Sequence, residues 1–152
     1  MTSNGIATFL SSVNSELQGI SMTHLSSVNS DSVSRLCSMP KLDTLGVSYC
    51  RNLGSEFFIS LAKAKLKFKD VRMDGCGPLS SEVLAIFENS RISLTHVSMQ
   101  SIKFVVFMFI QDKMDVKYFK MIGDCSNVET MDISGIKECA EDTIGNMVGS
   151  RF

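Results

Sequence analysis

Residues 42–53 read LDTLGVSYCRNL, and residues 68–79 read FKDVRMDGCGPL. Both are apolar at the first, fourth and sixth places, with cysteine at the ninth and leucine at the twelfth. Three more stretches follow the same plan: LQGISMTHLSSV from Leu17, LTHVSMQSIKFV from Leu94 and VETMDISGIKEC from Val128. Units therefore open at Leu17, Leu42, Phe68, Leu94 and Val128, with spacings of 25, 26, 26 and 34. Recurrence at this period marks stacked units, because a single unit cannot bury its own apolar edge and must lay it against the next copy.

The columns of this alignment carry the core. The fourth place holds Ile20, Leu45, Val71, Val97 and Met131, and the sixth holds Met22, Val47, Met73, Met99 and Ile133. The ninth holds Leu25, Cys50, Cys76, Ile102 and Ile136, and the twelfth holds Val28, Leu53, Leu79, Val105 and Cys139. Alternation between the fourth and sixth places is a strand signal, whereas SEFFISLAKAK at 55–65 and SEVLAIFENS at 81–90 space their apolar residues as helices do. Each unit is expected to be a short strand followed by a helix, with strands near Ile20, Leu45, Val71, Val97 and Met131. Ile6 and Leu10 precede Leu17 by the offsets at which Phe57 and Leu61 precede Phe68, so residues 1–16 read as the end of an earlier unit.

The pattern resembles the cysteine-containing leucine-rich repeat, the 26-residue subtype of F-box/leucine-rich-repeat proteins and their relatives, whose motif runs roughly L-x-x-L-x-L-x-x-C-x-x-[LI]-T-D. The resemblance spans residues 17–152, is closest over 42–93, and is most specific at Cys50 with Leu53 and Cys76 with Leu79. Gly54-Ser55 and Ser80-Ser81 replace the usual Thr-Asp, and the units from Leu17, Leu94 and Val128 lack the cysteine. The resemblance implies an α/β solenoid of the ribonuclease-inhibitor-like kind, with short parallel strands on a concave face and helices on the convex face. It would form a single domain over 1–152, comprising a partial repeat at 1–16 and repeats from 17, 42, 68, 94 and 128. The surplus residues of the fourth unit fall at about 103–112, KFVVFMFIQD. They read either as an extra strand or extended helix on the convex side, or as a hydrophobic docking loop.

Composition narrows the function. The 152 residues carry a formal net charge of -1, so no basic excess points to nucleic acid. FVVFMFI at 104–110 is the most apolar run, but a bilayer-spanning helix needs about 20 such residues. The start, MTSNGIATFLSSVNSEL, has no basic stretch leading into an apolar core as a signal peptide would. Cysteines at 37, 50, 76, 125 and 139 show no zinc-type spacing, and they read as reduced thiols of a cytosolic or nuclear protein.

No catalytic, cofactor or metal motif is present in the sequence: there is no phosphate-binding Gly-rich loop with lysine, no H-E-x-x-H and no G-x-S-x-G. With only His24 and His96, both on expected strand edges, a catalytic base has few candidates. No enzyme activity is expected. What remains is the sheet face made by the third, fifth and seventh places, which point away from the ladder. On it Asp70, Arg72, Asp74, His96, Gln100 and Asp132, and beside it at the strand ends Tyr49, are the candidate protein-binding residues, since Arg and aromatic side chains dominate interface hot spots. The alternative is an ordinary solvated sheet face.

The family resemblance implies a non-catalytic protein-interaction module, with substrate recognition for an F-box-type ubiquitin ligase as its finer form, although the sequence contains no F-box segment. An assembly-factor or structural role, or a fragment of a longer repeat protein, is the alternative. Both ends, NGIATFL and GNMVGSRF, carry apolar residues without a polar cap, so the sequence also raises the expectation of a longer parent solenoid or of self-association through open ends.

Overall fold

The apolar residue at the fourth place of each unit sits at the centre of a three-residue strand. The computed structural model of the chain describes residues 2–77, 79–80, 83, 85–101, 104–105, 124–132 and 134. Its strands are β1 (Gly19–Ser21), β2 (Thr44–Gly46), β3 (Asp70–Arg72), β4 (Leu79–Ser80), β5 (His96–Ser98), β6 (Phe104–Val105) and β7 (Thr130–Asp132). Five of them form one parallel sheet in the order β1-β2-β3-β5-β7. Ile20 pairs with Leu45, Leu45 with Val71, Val71 with Val97 and Val97 with Met131. The sequence column is thus a physical row across the sheet.

The backbone repeats with the same regularity. The carbonyl at the second place of a unit (Gln18, Asp43, Lys69, Thr95) accepts from the two N–H groups at the second and third places of the next. The N–H at the eighth place (His24, Tyr49, Gly75, Ser101) donates to the carbonyl at the seventh place of the next unit. That eighth place is also left-handed in all four units, with φ of 58° at His24 and Tyr49, 55° at Gly75 and 55° at Ser101. Three of these are not glycine, although L side chains rarely adopt this conformation, so the turn closing each strand is imposed by unit-to-unit hydrogen bonding.

Four α-helices are described: α1 (Ser3–Ser12), α2 (Ser30–Val33), α3 (Ser55–Lys63) and α4 (Ala85–Asn89). In α1 the Thr2 side chain caps the start by accepting from the Gly5 N–H, and Ile6 and Leu10 are buried, as are their counterparts Phe57 and Leu61 in α3. The first full unit departs from the expected single helix. Its α2 opens with a capping box between Asn29 and Ser32 and gives way to a 3-10 turn over Ser34–Ser38. There the Ser34 and Ser38 hydroxyls bond to carbonyls three residues back, a local competition that tightens the turn. In the third unit α4 covers Ala85–Asn89 of the stretch 81–90 that the sequence pattern indicates, and Ser81, Glu82 and Leu84 lie outside the described residues.

Between sheet and helices lies one continuous apolar core. Leu42, Leu45, Val47, Phe68, Val71, Met73, Leu94, Val97 and Met99, the ladder positions of the three central units, are all buried. Leu17, Ile20, Val128 and Met131 are only partly buried, and among the described residues β1 and β7 each pair with a single strand. Cys50 and Cys76 lie in the strand-to-helix turns, buried, and each thiol donates to the sixth-place carbonyl of the preceding unit: Cys50 to Met22 at 3.5 Å and Cys76 to Val47 at 2.9 Å. Burial pushes the Cys76 thiol up to about 12 and raises Cys50 as well, which keeps both as neutral packing groups.

The eight-residue surplus of the fourth unit leaves the main sheet undisturbed, since Val97 still pairs with Met131. Within 103–112, Phe104–Val105 is strand β6, paired in parallel with β4 of the preceding unit. Leu79 stands opposite Phe104, one residue before the Val105 of the sequence column, because the turn after β5 is one residue shorter than that after β3. Ile102, Ile133, Ile136, Cys139, the rest of 103–112 and the C-terminal Ile144, Met147, Val148 and Phe152 lie outside the described residues. Among the described residues no helix is long and apolar enough to cross a membrane.

Candidate protein-binding face

Side chains alternate along each strand, so the third and fifth places of successive units line up on the sheet face turned away from the ladder. In register this gives the rows Gly19, Thr44, Asp70, His96, Thr130 and Ser21, Gly46, Arg72, Ser98, Asp132. Toward β1 the face is small and uncharged, and toward β7 it carries carboxylates.

Arg72 is the most prominent charge. Its Nε and Nη2 donate to Asp70 Oδ1 and Oδ2 at 3.0 and 2.8 Å, a two-point clamp made possible because residues two apart on one strand share a face. The Arg72 side chain stays 58% exposed while the Asp70 side chain is 19% exposed. Asp70 beside it raises the already high Arg72 pKa, so the cation persists at any working pH. The clamp leaves Nη1 of Arg72 for a partner. Next to it lies a shallow concavity of about 250 Å³ between Ser21, Thr44 and Gly46 on one side and Asp70 and Arg72 on the other. Its depth depends on Gly46, where a Cβ would come within 2.9 Å of Ser21 Oγ.

Asp74, in contrast, is consumed by the sheet. Its carboxylate accepts from Ser48 Oγ at 3.1 Å, Ser98 Oγ at 2.6 Å and the Gln100 backbone N–H at 2.7 Å, which joins three consecutive units. Gln100 Nε2 reaches on to Asp132 Oδ2 at 2.5 Å. Hydrogen bonds from the Ser134 backbone and hydroxyl, and then from Gln100, hold Asp132 below the usual carboxylate range. Asp74, Gln100 and Asp132 therefore form a polar seam across the sheet face.

His96 stands opposite Asp70 on the neighbouring strand. Its Nδ1 lies 2.8 Å from Thr95 Oγ1, and that hydroxyl donates to the Lys69 carbonyl at 3.0 Å. Tyr49 lies apart from these groups, in the eighth-place turn. Its ring stacks on His24 with centroids 4.7 Å apart and planes 2° from parallel.

The structure thus gathers Asp70, Arg72 and His96 as the outward-facing set, ties Asp74, Gln100 and Asp132 into an internal seam, and places Tyr49 in a separate stack. The roles of His24, Ser48, Ser98 and Gly75 were missed in the sequence. The eighth column, His24, Tyr49, Gly75 and Ser101, holds both members of the stack as its first two residues. Among the described residues no group of three or more His, Cys, Asp and Glu side chains could hold a metal ion.

No protein-family model matches the chain, and no curated protein matches it. Among solved structures it is similar to Leiomodin-1 Actin-Binding Site 2 (ABS2), with a TM-score of 0.63 and 12% sequence identity, covering 96% of this chain and 87% of that one. At that identity the likeness is one of fold alone.

Proposed function

We propose that this chain is a non-catalytic protein-binding module of the leucine-rich-repeat kind, a solenoid that holds a partner against its sheet face at Arg72. The observation that carries the reading is the half-open Arg72–Asp70 clamp beside the Ser21–Thr44–Gly46 concavity. A rigid sheet presents a preorganised guanidinium with a free donor next to a space that a side chain can enter, which is how interface anchors are built. The 26-residue period with cysteine at the ninth place supports the repeat family. The similar solved structure is named as an actin-binding site, which favours a protein ligand over a small molecule. Within that family, substrate recognition for an F-box-type ubiquitin ligase is the finer form of the proposal, and an assembly-factor role is its competitor.

The test is affinity capture from native lysate with the wild-type chain and with Arg72→Glu, read by quantitative mass spectrometry. Charge reversal at an exposed residue should leave the melting temperature near wild type and weaken the cognate partner by about tenfold or more. Ligase subunits among the Arg72-dependent proteins would support the ligase form, and subunits of a membrane complex would support the assembly-factor form. An identical set of captured proteins at identical recovery would overturn the Arg72 site.

A further inference from the structure

A second surface lies on the loops that lead from helix to strand, away from the sheet face. Helix α3 ends at Lys63, and Lys65 closes it in a left-handed conformation, φ 54°, with its N–H returned to the Ala62 carbonyl. From there the chain runs extended into β3. Leu66 and Phe68 turn into the core, and Lys65, Lys67 and Lys69 turn out. This loop and the equivalent one before β2 enclose a cleft of about 370 Å³. Leu42, Leu66 and Pro40 line its apolar part, Lys41, Lys65 and Lys67 supply its cations, and Asp43, held by Lys69, is the one carboxylate in its lining.

Most nearby charges are already answered. Lys69 pairs with Asp43 at 2.6 Å, and Lys41 pairs with Glu16 across an exposed contact. Among the described residues neither Lys65 nor Lys67 has a carboxylate within ion-pair distance. Such a local surplus stands out in a chain whose net charge is -1. It does not reflect a generally basic surface.

We propose that this cleft docks an acidic peptide segment of a partner protein, with an apolar side chain seated over Pro40 and Leu66 and flanking carboxylates on Lys65 and Lys67. The cleft has the volume of a small ligand site and a lining that is part apolar and part charged, which a peptide with apolar and acidic side chains fills and a lone phosphate does not. Lysines on flexible stems are spread along its rim, in place of the convergent donors that grip one phosphate. A nucleic-acid backbone would call for a longer cationic track than these residues provide. The docking surface is independent of the Arg72 face, so the two can be lost separately.

The experiment is fluorescence anisotropy of the full chain with a labelled peptide in which a central leucine is flanked by glutamates. Binding is expected to weaken about tenfold or more in Lys65→Asn/Lys67→Gln and to weaken as salt is raised. Asparagine is chosen at 65 because it tolerates the left-handed backbone. Lys67→Gln alone, at an ordinary backbone position, gives a second reading if the double variant melts early. Replacing the peptide leucine by serine should also weaken binding, and Arg72→Glu should leave it unchanged. The proposal is overturned if the lysine variants bind as wild type, if the glutamine version of the peptide binds equally, or if phosphatidylserine vesicles, a single-stranded oligonucleotide or inorganic phosphate bind the lysine cleft more tightly than the peptide does.

Discussion

The aromatic ring of Tyr49 lies directly against Gly75, 26 residues later in the chain: a Cβ added at Gly75 would stand 2.4 Å from Tyr49 Cδ1. His24 of the preceding unit stacks on the same ring, so Tyr49 cannot swing aside without breaking that contact. Gly75→Ala should therefore destabilise the fold by about 2 kcal/mol or more, combining the left-handed backbone cost with the clash. Adding Tyr49→Ala should recover the steric part and leave the backbone part. A urea-denaturation double-mutant cycle measures the difference, and additive effects would show that ring and glycine do not touch.

Removing the Asp74 carboxylate tests the seam that joins three units. In Asp74→Ala the Gln100 N–H and the hydroxyls of Ser48 and Ser98 lose their acceptor. A loss of about 1–3 kcal/mol is expected, with a smaller loss for Asp74→Asn, which retains one carbonyl acceptor. Thermal melts of the two variants give the order. Equal stability of Asp74→Ala and wild type would mean that water replaces the carboxylate at no cost and that the side chain is available to a ligand.

The cysteine environments set a direction for alkaline stability. Cys76 has a folded pKa raised from 9.0 to about 12, through burial, and Cys37 and Cys50 are raised in the same sense. A raised folded pKa contributes stability that is complete below the unfolded value and lost as pH climbs through the folded one. Unfolding free energy should accordingly fall between about pH 9 and pH 12. Cys76→Ala should flatten that part of the profile, and Cys76 should react with iodoacetamide far more slowly than in the denatured chain. Rapid alkylation of native Cys76 would contradict its burial.

Five strand centres were legible in the sequence because they are the one feature that stacking forces to repeat. Ile20, Leu45, Val71, Val97 and Met131 must all bury an apolar side chain in the same row, so their period survives every change around them. Even the surplus of the fourth unit does not shift that row. The buried cysteines were legible for the same reason, as small groups repeating at one point of the turn.

The candidate surfaces follow a different rule, which explains why only their outline could be read in advance. Alternation along the strands put Asp70, Arg72 and Asp74 on one face, yet it could not say that Asp70 would clamp Arg72 while Asp74 turned to Ser48, Ser98 and Gln100. Nor could it show His24 stacked on Tyr49, or Lys65 and Lys67 gathered with Lys41 around one cleft. The sequence alone determined the repeat, its period and the apolar rows, because burying a continuous core constrains residue type at fixed intervals. Only the tertiary structure decided which polar side chains pair and which remain open, because those choices depend on the distance and angle between residues one whole unit apart, where hydrogen bonds form within a few tenths of an ångström or not at all.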